Sequence, residues 1–438
     1  MRDLLVIAVV YAAIPVIVFR PFAGLLVYAW LAYMRPQDMA WGATKVMPLS
    51  QWVAVAMVLG IAFTMGRERL LTLKVQTLLL LLLIGWISIT VATALVPEVS
   101  KVVYGHYWKG ILIAVVTTGL VRDRRRLRIL LMVIAFSLGF LGAKRGLYGL
   151  LRGGVRYDDG PGGFMADNNT FALMLNIALP LLVGLALTEK ERILKVLAWV
   201  TAGLTLLTIL FTFSRGGFLT LCLVVGMLLW RSRQRLAVGG AIALFLAAFL
   251  YFTPGSFTRQ FVERTSSISD YEEDGSAQGR LAAWGTAWRA FLDYPVTGVG
   301  PNNLQIVHAR YSTEPNRFRV THNAYLQLLA ECGLPALLLF LGVIGTALLR
   351  LQTLRAGDGD GDRDGWVEVW ARMLQISILA FLAGSMFLST AYTELIYQLI
   401  GLSVALEMVA HTSAVGETAA DVPWWKRPLP AAAWAKEA

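Results

Sequence analysis

The chain has 438 residues, 57% of them hydrophobic and 15% charged, with a mean hydropathy of +0.62. That balance excludes a soluble globule, and several apolar runs reach the roughly 20 residues needed to cross a bilayer. A net charge of +11 would suit nucleic acid, but the basic residues cluster briefly between apolar runs, which is the pattern of membrane topology, so no nucleic-acid partner is expected.

Apolar runs cover residues 4–34, 49–65, 75–96, 102–121, 127–143, 168–188, 193–213, 216–230, 236–252, 323–349, 367–389 and 394–410. The expected fold is an all-α polytopic membrane protein with about twelve transmembrane helices. Residues 4–34 are too long for one crossing and are interrupted at Arg20-Pro21, so they form one broken span or two short helices, with thirteen spans as the alternative count. Phe19-Arg20-Pro21 follows the first run instead of a small-residue cleavage site, which reads as a retained anchor. The organisation is then 1–252, N-terminal membrane helices; 253–322, one large hydrophilic loop; 323–411, C-terminal membrane helices; and 412–438, a tail.

Lysine and arginine set the orientation. Loops 66–74, 122–128, 189–195, 231–235 and 350–366 hold 17 of them, whereas 35–48, 97–101, 144–166, 214–217 and 390–393 hold 8. The positive-inside rule makes the first set and the tail cytoplasmic and puts the large loop outside. Within that loop, Leu281, Trp284, Trp288 and Phe291 recur at helical spacing before Pro295. This is the stripe of an amphipathic helix lying on the membrane-facing surface, with Arg280 opening it. The tryptophans read as an interfacial belt.

Candidate metal sites are weak. Asp360, Asp362, Asp364 and Gly365 fit half of a calcium loop, but Ala371 stands where a bidentate Glu is required, which leaves an acidic linker. Asp158-Asp159 reads as a turn. Asp167-Asn168-Asn169 reads as a helix cap. Cys222 and Cys332 lie in apolar runs without metal or redox spacing. No metal or cofactor is expected.

The junction at 298–335 carries the stronger signal. Thr321 is placed to cap the next helix, which would put His322 in its first turn, where the helix dipole disfavours imidazolium and leaves a neutral base. Glu331, nine residues on, would lie in the hydrocarbon zone, where a carboxylate needs a partner or a role. Arg215 in SRGG and Arg280 are candidate anion ligands, since a guanidinium at a glycine-rich helix start offers bidentate donors beside free amides. For Arg215, snorkelling to the interface or pairing with Glu394 is the equal alternative. Lys144, Arg145, Arg152 and Arg156 form a basic outer cluster suited to lipid head groups, and with Glu331 and Asn169 they are candidate supporting residues. Of the other histidines, His308 alone could reach the same side.

Three blocks in order, TFSRGG at 212–217, GRLAAWGTAW at 279–288 leading to YPVTGVGPN, and THNAYLQLLAECG at 321–333, resemble the O-antigen ligase and polymerase superfamily. GFMADNNTFALMLNIALPL at 163–181 resembles the segment preceding them. The N-terminal RPFAGLLVYAWLAYMRPQDMAWG is similar to O-glycosylation ligases of exosortase systems. The resemblance implies a GT-C-like glycosyltransferase of the bacterial inner membrane, working at the periplasmic face without a metal. It would take a glycan from undecaprenyl diphosphate and join it to a hydroxyl of lipid A core, of a protein or of a growing polymer. By motif, the catalytic histidine falls on His322 and the pyrophosphate-binding arginines on Arg215 and Arg280. A flippase or other transporter would instead predict inverted repeats and several mid-membrane charges, and neither is evident.

Overall fold

A computed structural model describes residues 2–40, 42–64, 68–230, 239–240, 255, 259, 275–313, 320–356 and 365–414. Nearly all of the expected run at 236–252, the stretch 260–274, the acidic linker 357–364 and the tail from 415 lie outside the described residues.

Among the described residues the chain is helical and contains no strand. The helices are α1 (Arg2–Phe19), α2 (Pro21–Tyr33), α3 (Leu49–Phe63), α4 (Val75–Ala92), α5 (Pro97–Leu120), α6 (Arg124–Leu151), α7 (Asn168–Thr188), α8 (Arg192–Phe211), α9 (Arg215–Trp230), α10 (Gly275–Asp293), α11 (Ala324–Ala356), α12 (Gly365–Gly384) and α13 (Glu394–Ala414). Eight of them are long and apolar enough to cross a membrane. Three more are apolar but shorter among the described residues: α2 and α3, of 13 and 15 residues, and α9, of which 16 are described. The protein is an all-helical polytopic membrane protein.

The run 4–34 resolves into two helices. Pro21 occupies the first turn of α2, where its missing N–H and fixed φ favour a start over a continuation. Asp3 at the head of α1 accepts a 2.6 Å bond from the Thr44 hydroxyl, beyond the end of α2, so the pair is antiparallel. The basic stretch after residue 143 is not all loop either, because α6 continues to Leu151 and carries Lys144 and Arg145.

Alternating helices gather the loops at two ends. At one end Arg126 forks onto both oxygens of Glu68 at 2.8 and 2.7 Å, Arg128 pairs with Glu189, and Lys74 reaches Glu407 at 3.0 Å. At the other, backbone bonds join distant loops: Leu95 N–H to Val299 O at 3.1 Å, Tyr157 N–H to Phe211 O at 2.8 Å, and Gly300 N–H to Glu331 O at 2.9 Å. Arg215, Arg280 and His322 belong to this second end.

Helix α7 lies at the centre, with 83% of its span buried, and α1 at the periphery with 17%. In lipid, helices associate by close packing and not by escape from water, and the sequence supplies small residues for it. Gly139, Gly142, Gly146 and Gly149 form one face of α6 against α8. A Cβ at Gly146 would stand 2.1 Å from Leu204 O, and the Thr208 hydroxyl donates to Gly142 O at 2.6 Å. Helix α11 is interrupted at Gly333, which has φ 77°. There the segment from Pro295 passes so close that a Cβ would meet Val296 O at 1.9 Å, and Leu334 N–H bonds Pro295 O at 2.9 Å. The positive φ and the close approach both require glycine.

Candidate active site

His322 does not sit in the first turn of α11. The cap is Asn323, whose Oδ1 accepts from the N–H groups of Tyr325 and Leu326, both at 3.0 Å. Asn competes well for this position because its short carbonyl reaches the free amides. Thr321 serves otherwise, its carbonyl accepting the Trp284 indole N–H at 2.9 Å. His322 itself takes a left-handed backbone, φ 46°, and its N–H donates to Ser389 Oγ at 2.9 Å. A non-glycine residue in that region costs about 1–2 kcal/mol, which the Asn323 cap and the Ser389 bond hold in place.

The His322 imidazole is half-buried. Burial, and after it the positive charge of Arg280, push its pKa below the ordinary histidine value, with Asp167 opposing them. The ring is therefore neutral near pH 7, the state in which a nitrogen lone pair can accept a proton. The source of neutrality is burial and a neighbouring cation, not the helix start expected from the sequence.

Arg280 lies in the second turn of α10, which begins at Gly275, and so does not open the helix. Ala283, Ala287 and Ala290 are buried, while Leu281, Trp288 and Leu292 stay 50%, 49% and 59% exposed, so small residues face the protein and large ones face outward. Trp284 leaves the expected outward stripe to hold Thr321. Arg280 lines a narrow cavity with Asn169, Ser214, Gly216, Gly217 and Leu388. Arg215 is the first residue of α9. The preceding Ser214 caps that helix by accepting from Gly217 N–H at 3.0 Å and donates to Asn169 Oδ1 at 2.7 Å. Gly217 lets α9 approach α7, because a Cβ there would come within 2.7 Å of Ala172 Cβ.

The structure thus brings His322, Arg280, Asn169 and the Arg215 helix start together. Other sequence candidates go elsewhere. Glu331 is buried beside the α11 break and accepts from Tyr392 OH at 2.6 Å. Arg145 pairs with Asp159 and stacks on Tyr157 and Phe171. Arg156 pairs with Asp158, and Arg152 covers the ring of Tyr148. Lys144 is exposed. None of these four lines a cavity described here. Glu394 accepts from Tyr28 OH at 3.2 Å, with Arg35, His106 and Lys109 nearby. Asp167 is the expected cap, accepting from Thr170 N–H at 2.8 Å.

Sequence reading missed Ser389, which holds the His322 backbone. The only signal was a short polar break, Ser389-Thr390, between two apolar runs. It also missed a second cavity of about 690 Å³ across Leu388-Ser389 from the first.

Comparison with known families gives two matches. A family of unknown function, DUF5935, matches residues 1–174. The O-antigen ligase family matches residues 200–341, the stretch that holds Arg215, Arg280 and His322. No curated protein matches the chain. The match over 200–341, about a third of the chain, supports a place in the O-antigen ligase superfamily.

Proposed function

We propose that the protein is an inner-membrane glycosyltransferase that moves a glycan from undecaprenyl diphosphate to a hydroxyl of lipid A core at the periplasmic face. The observation that carries this reading is the convergence of three separate sequence blocks. Arg280 acts electrostatically on His322 and lines one narrow cavity with the glycines of the α9 start that Arg215 opens.

In this reading the neutral His322 ring takes the proton of the acceptor hydroxyl as its oxygen attacks the anomeric carbon. The bond from that carbon to the diphosphate oxygen breaks, and undecaprenyl diphosphate leaves with the electron pair. Arg215 and Arg280 bind the departing charge through planar, bidentate donors. Attack opposite the leaving group inverts the anomeric centre. The resemblance implies no metal, and no step needs one. The excess of lysine and arginine in loops 66–74, 122–128, 189–195, 231–235 and 350–366 supports the periplasmic placement of the site.

A second reading, a protein O-glycosylation ligase, is favoured by the N-terminal stretch 20–42 and its similarity to ligases of exosortase systems. Purified full-length protein in lipid nanodiscs, given undecaprenyl-diphosphate glycan and either lipid A core or a candidate protein, decides between them. Glycan on lipid A core is expected. Glycan on the protein alone would install the second reading, and transfer to neither would remove both.

A further inference from the structure

The larger cavity is built from parts of the chain that lie outside the O-antigen ligase match. Its walls come from the α2–α3 connection, α5, the 163–170 segment and the start of α13, so most of them fall in the 1–174 family of unknown function. Its volume of about 690 Å³ lies in the range typical of ligand sites, about 300–1,000 Å³.

The lining chemistry is specific. Arg35, Lys45, His106 and Lys109 bring cationic or potentially cationic groups to one space. Arg35 is paired with Asp38 and covers the Phe164 ring, and its guanidinium packs on Gly163, where a Cβ would collide with it at 2.1 Å. It is therefore part of the wall. Among the described residues Lys45 and Lys109 have no carboxylate within ion-pair distance. The Glu394 carboxylate acts on Lys109 through space and Asp38 holds Arg35, so three cations meet two carboxylates in this wall, and the excess of positive charge facing a polar cavity suits an anion. The remaining wall offers hydroxyls, among them Thr170, Ser389 and Thr393, and the Glu394 carboxylate, groups that hydrogen-bond the hydroxyls of a sugar.

Position assigns the occupant. Asn169 and Leu388 line the Arg280 cavity, while their chain neighbours Thr170 and Ser389 line the larger one. Ser389 also holds the His322 backbone. The two spaces thus flank one thin wall beside the proposed base. In an in-line displacement the acceptor approaches opposite the leaving diphosphate, so the space across the wall from Arg280 is the acceptor's.

We infer that this cavity binds an anionic saccharide, the phosphate- or carboxylate-bearing part of the acceptor, with Lys45 and Lys109 as its charge-reading residues. The assignment to the acceptor rests on the proposed transfer reaction, whereas the binding chemistry does not.

The test uses full-length protein in nanodiscs and equilibrium binding of a phosphorylated core oligosaccharide, before and after phosphatase treatment. Wild type should prefer the phosphorylated form by about 10- to 100-fold, the range expected for hydrogen bonds to a charged group. The Lys45→Gln/Lys109→Gln double variant should lose that preference, and His322→Ala should keep it. No preference in wild type, or an undiminished one in the folded double variant, overturns the inference. Competition by undecaprenyl-diphosphate glycan at this site would assign the cavity to the donor and overturn the acceptor assignment. If the binding pattern appears as expected but no acceptor gains sugar, the proposed reaction falls and the anionic-saccharide site stands.

Discussion

The two ends of the helix bundle hold themselves together by different means. At the end bearing Glu68, Glu189 and Glu407, ion pairs tie distant segments: Arg126 and Glu68 are 58 residues apart, Arg128 and Glu189 61, Lys74 and Glu407 333. The acids there are sheltered, with side chains 15%, 2% and 7% exposed. At the site end the ion pairs are mostly local, as in Arg35 with Asp38, Arg156 with Asp158 and Lys101 with Glu98. Distant loops are joined there instead by backbone carbonyls, amides and hydroxyls. Among the described residues the four non-glycine residues of positive φ, Arg35, Phe213, Asn302 and His322, all lie at this end. Charge is consumed as structure at one end. At the other, neutral bonds join the distant loops and ion pairs stay mostly local.

The strongest break in this contrast is at His322. His322→Ala should lower transfer by roughly 100- to 10,000-fold while donor binding persists, the usual range for a lost general base. His322→Gln should fail equally, and near-normal turnover by that variant would show a structural hydrogen bond in place of proton transfer. The pH profile of turnover at saturating donor sharpens the point. The neutral ring is the active form, so the wild-type rate should hold below the ordinary imidazole value of about 6.5 and fall only at lower pH. In Arg280→Gln the residual rate should fall at a higher pH than in wild type, because a charge that disfavours imidazolium is gone. An unmoved acid limb would separate the two residues.

Next in size come the arginines. Arg215→Lys and Arg280→Lys keep the charge but lose the planar fork, so donor affinity should drop by about 10- to 100-fold. Wild-type donor binding by both would move the diphosphate site elsewhere. Asn323→Ala removes the α11 cap and should cost about 1 kcal/mol of stability. It should also lower transfer several-fold, because the same cap fixes the His322 backbone. At the opposite end Glu68→Gln should cost about 1–3 kcal/mol of stability, as expected for a largely buried pair, and leave transfer unchanged. Thermal unfolding set beside transfer assays distinguishes these last two, and a loss of transfer in Glu68→Gln would show that the two ends are coupled.

Much of the fold was legible because membrane helices are marked by composition alone. Every described apolar run is helical, and the alternation of loops between two ends follows from their order. His322, Arg280 and Arg215 stood out because they are polar residues in distinctive motifs. The conformation of His322 was hidden, since it depends on Ser389, 67 residues away, and on whether Thr321 or Asn323 wins the cap. The larger cavity was hidden for the same reason. Tyr28 and Glu394, which meet in its wall, are separated by 366 residues, and no local pattern pairs them. The break at Gly333-Leu334-Pro335 carried a local signal, glycine followed by proline, inside an otherwise continuous apolar run.

The brevity of α2 and α3 has a consequence for the surrounding lipid. At 13 and 15 residues these helices measure about 20 to 23 Å, against a hydrocarbon core of about 30 Å. The bilayer beside them must thin, or water must enter from the cavities that open at their ends, and either adjustment carries an energetic cost that grows with the mismatch. Membrane thickness thereby becomes a variable of the protein's working state, with shorter acyl chains matching these helices and longer ones opposing them.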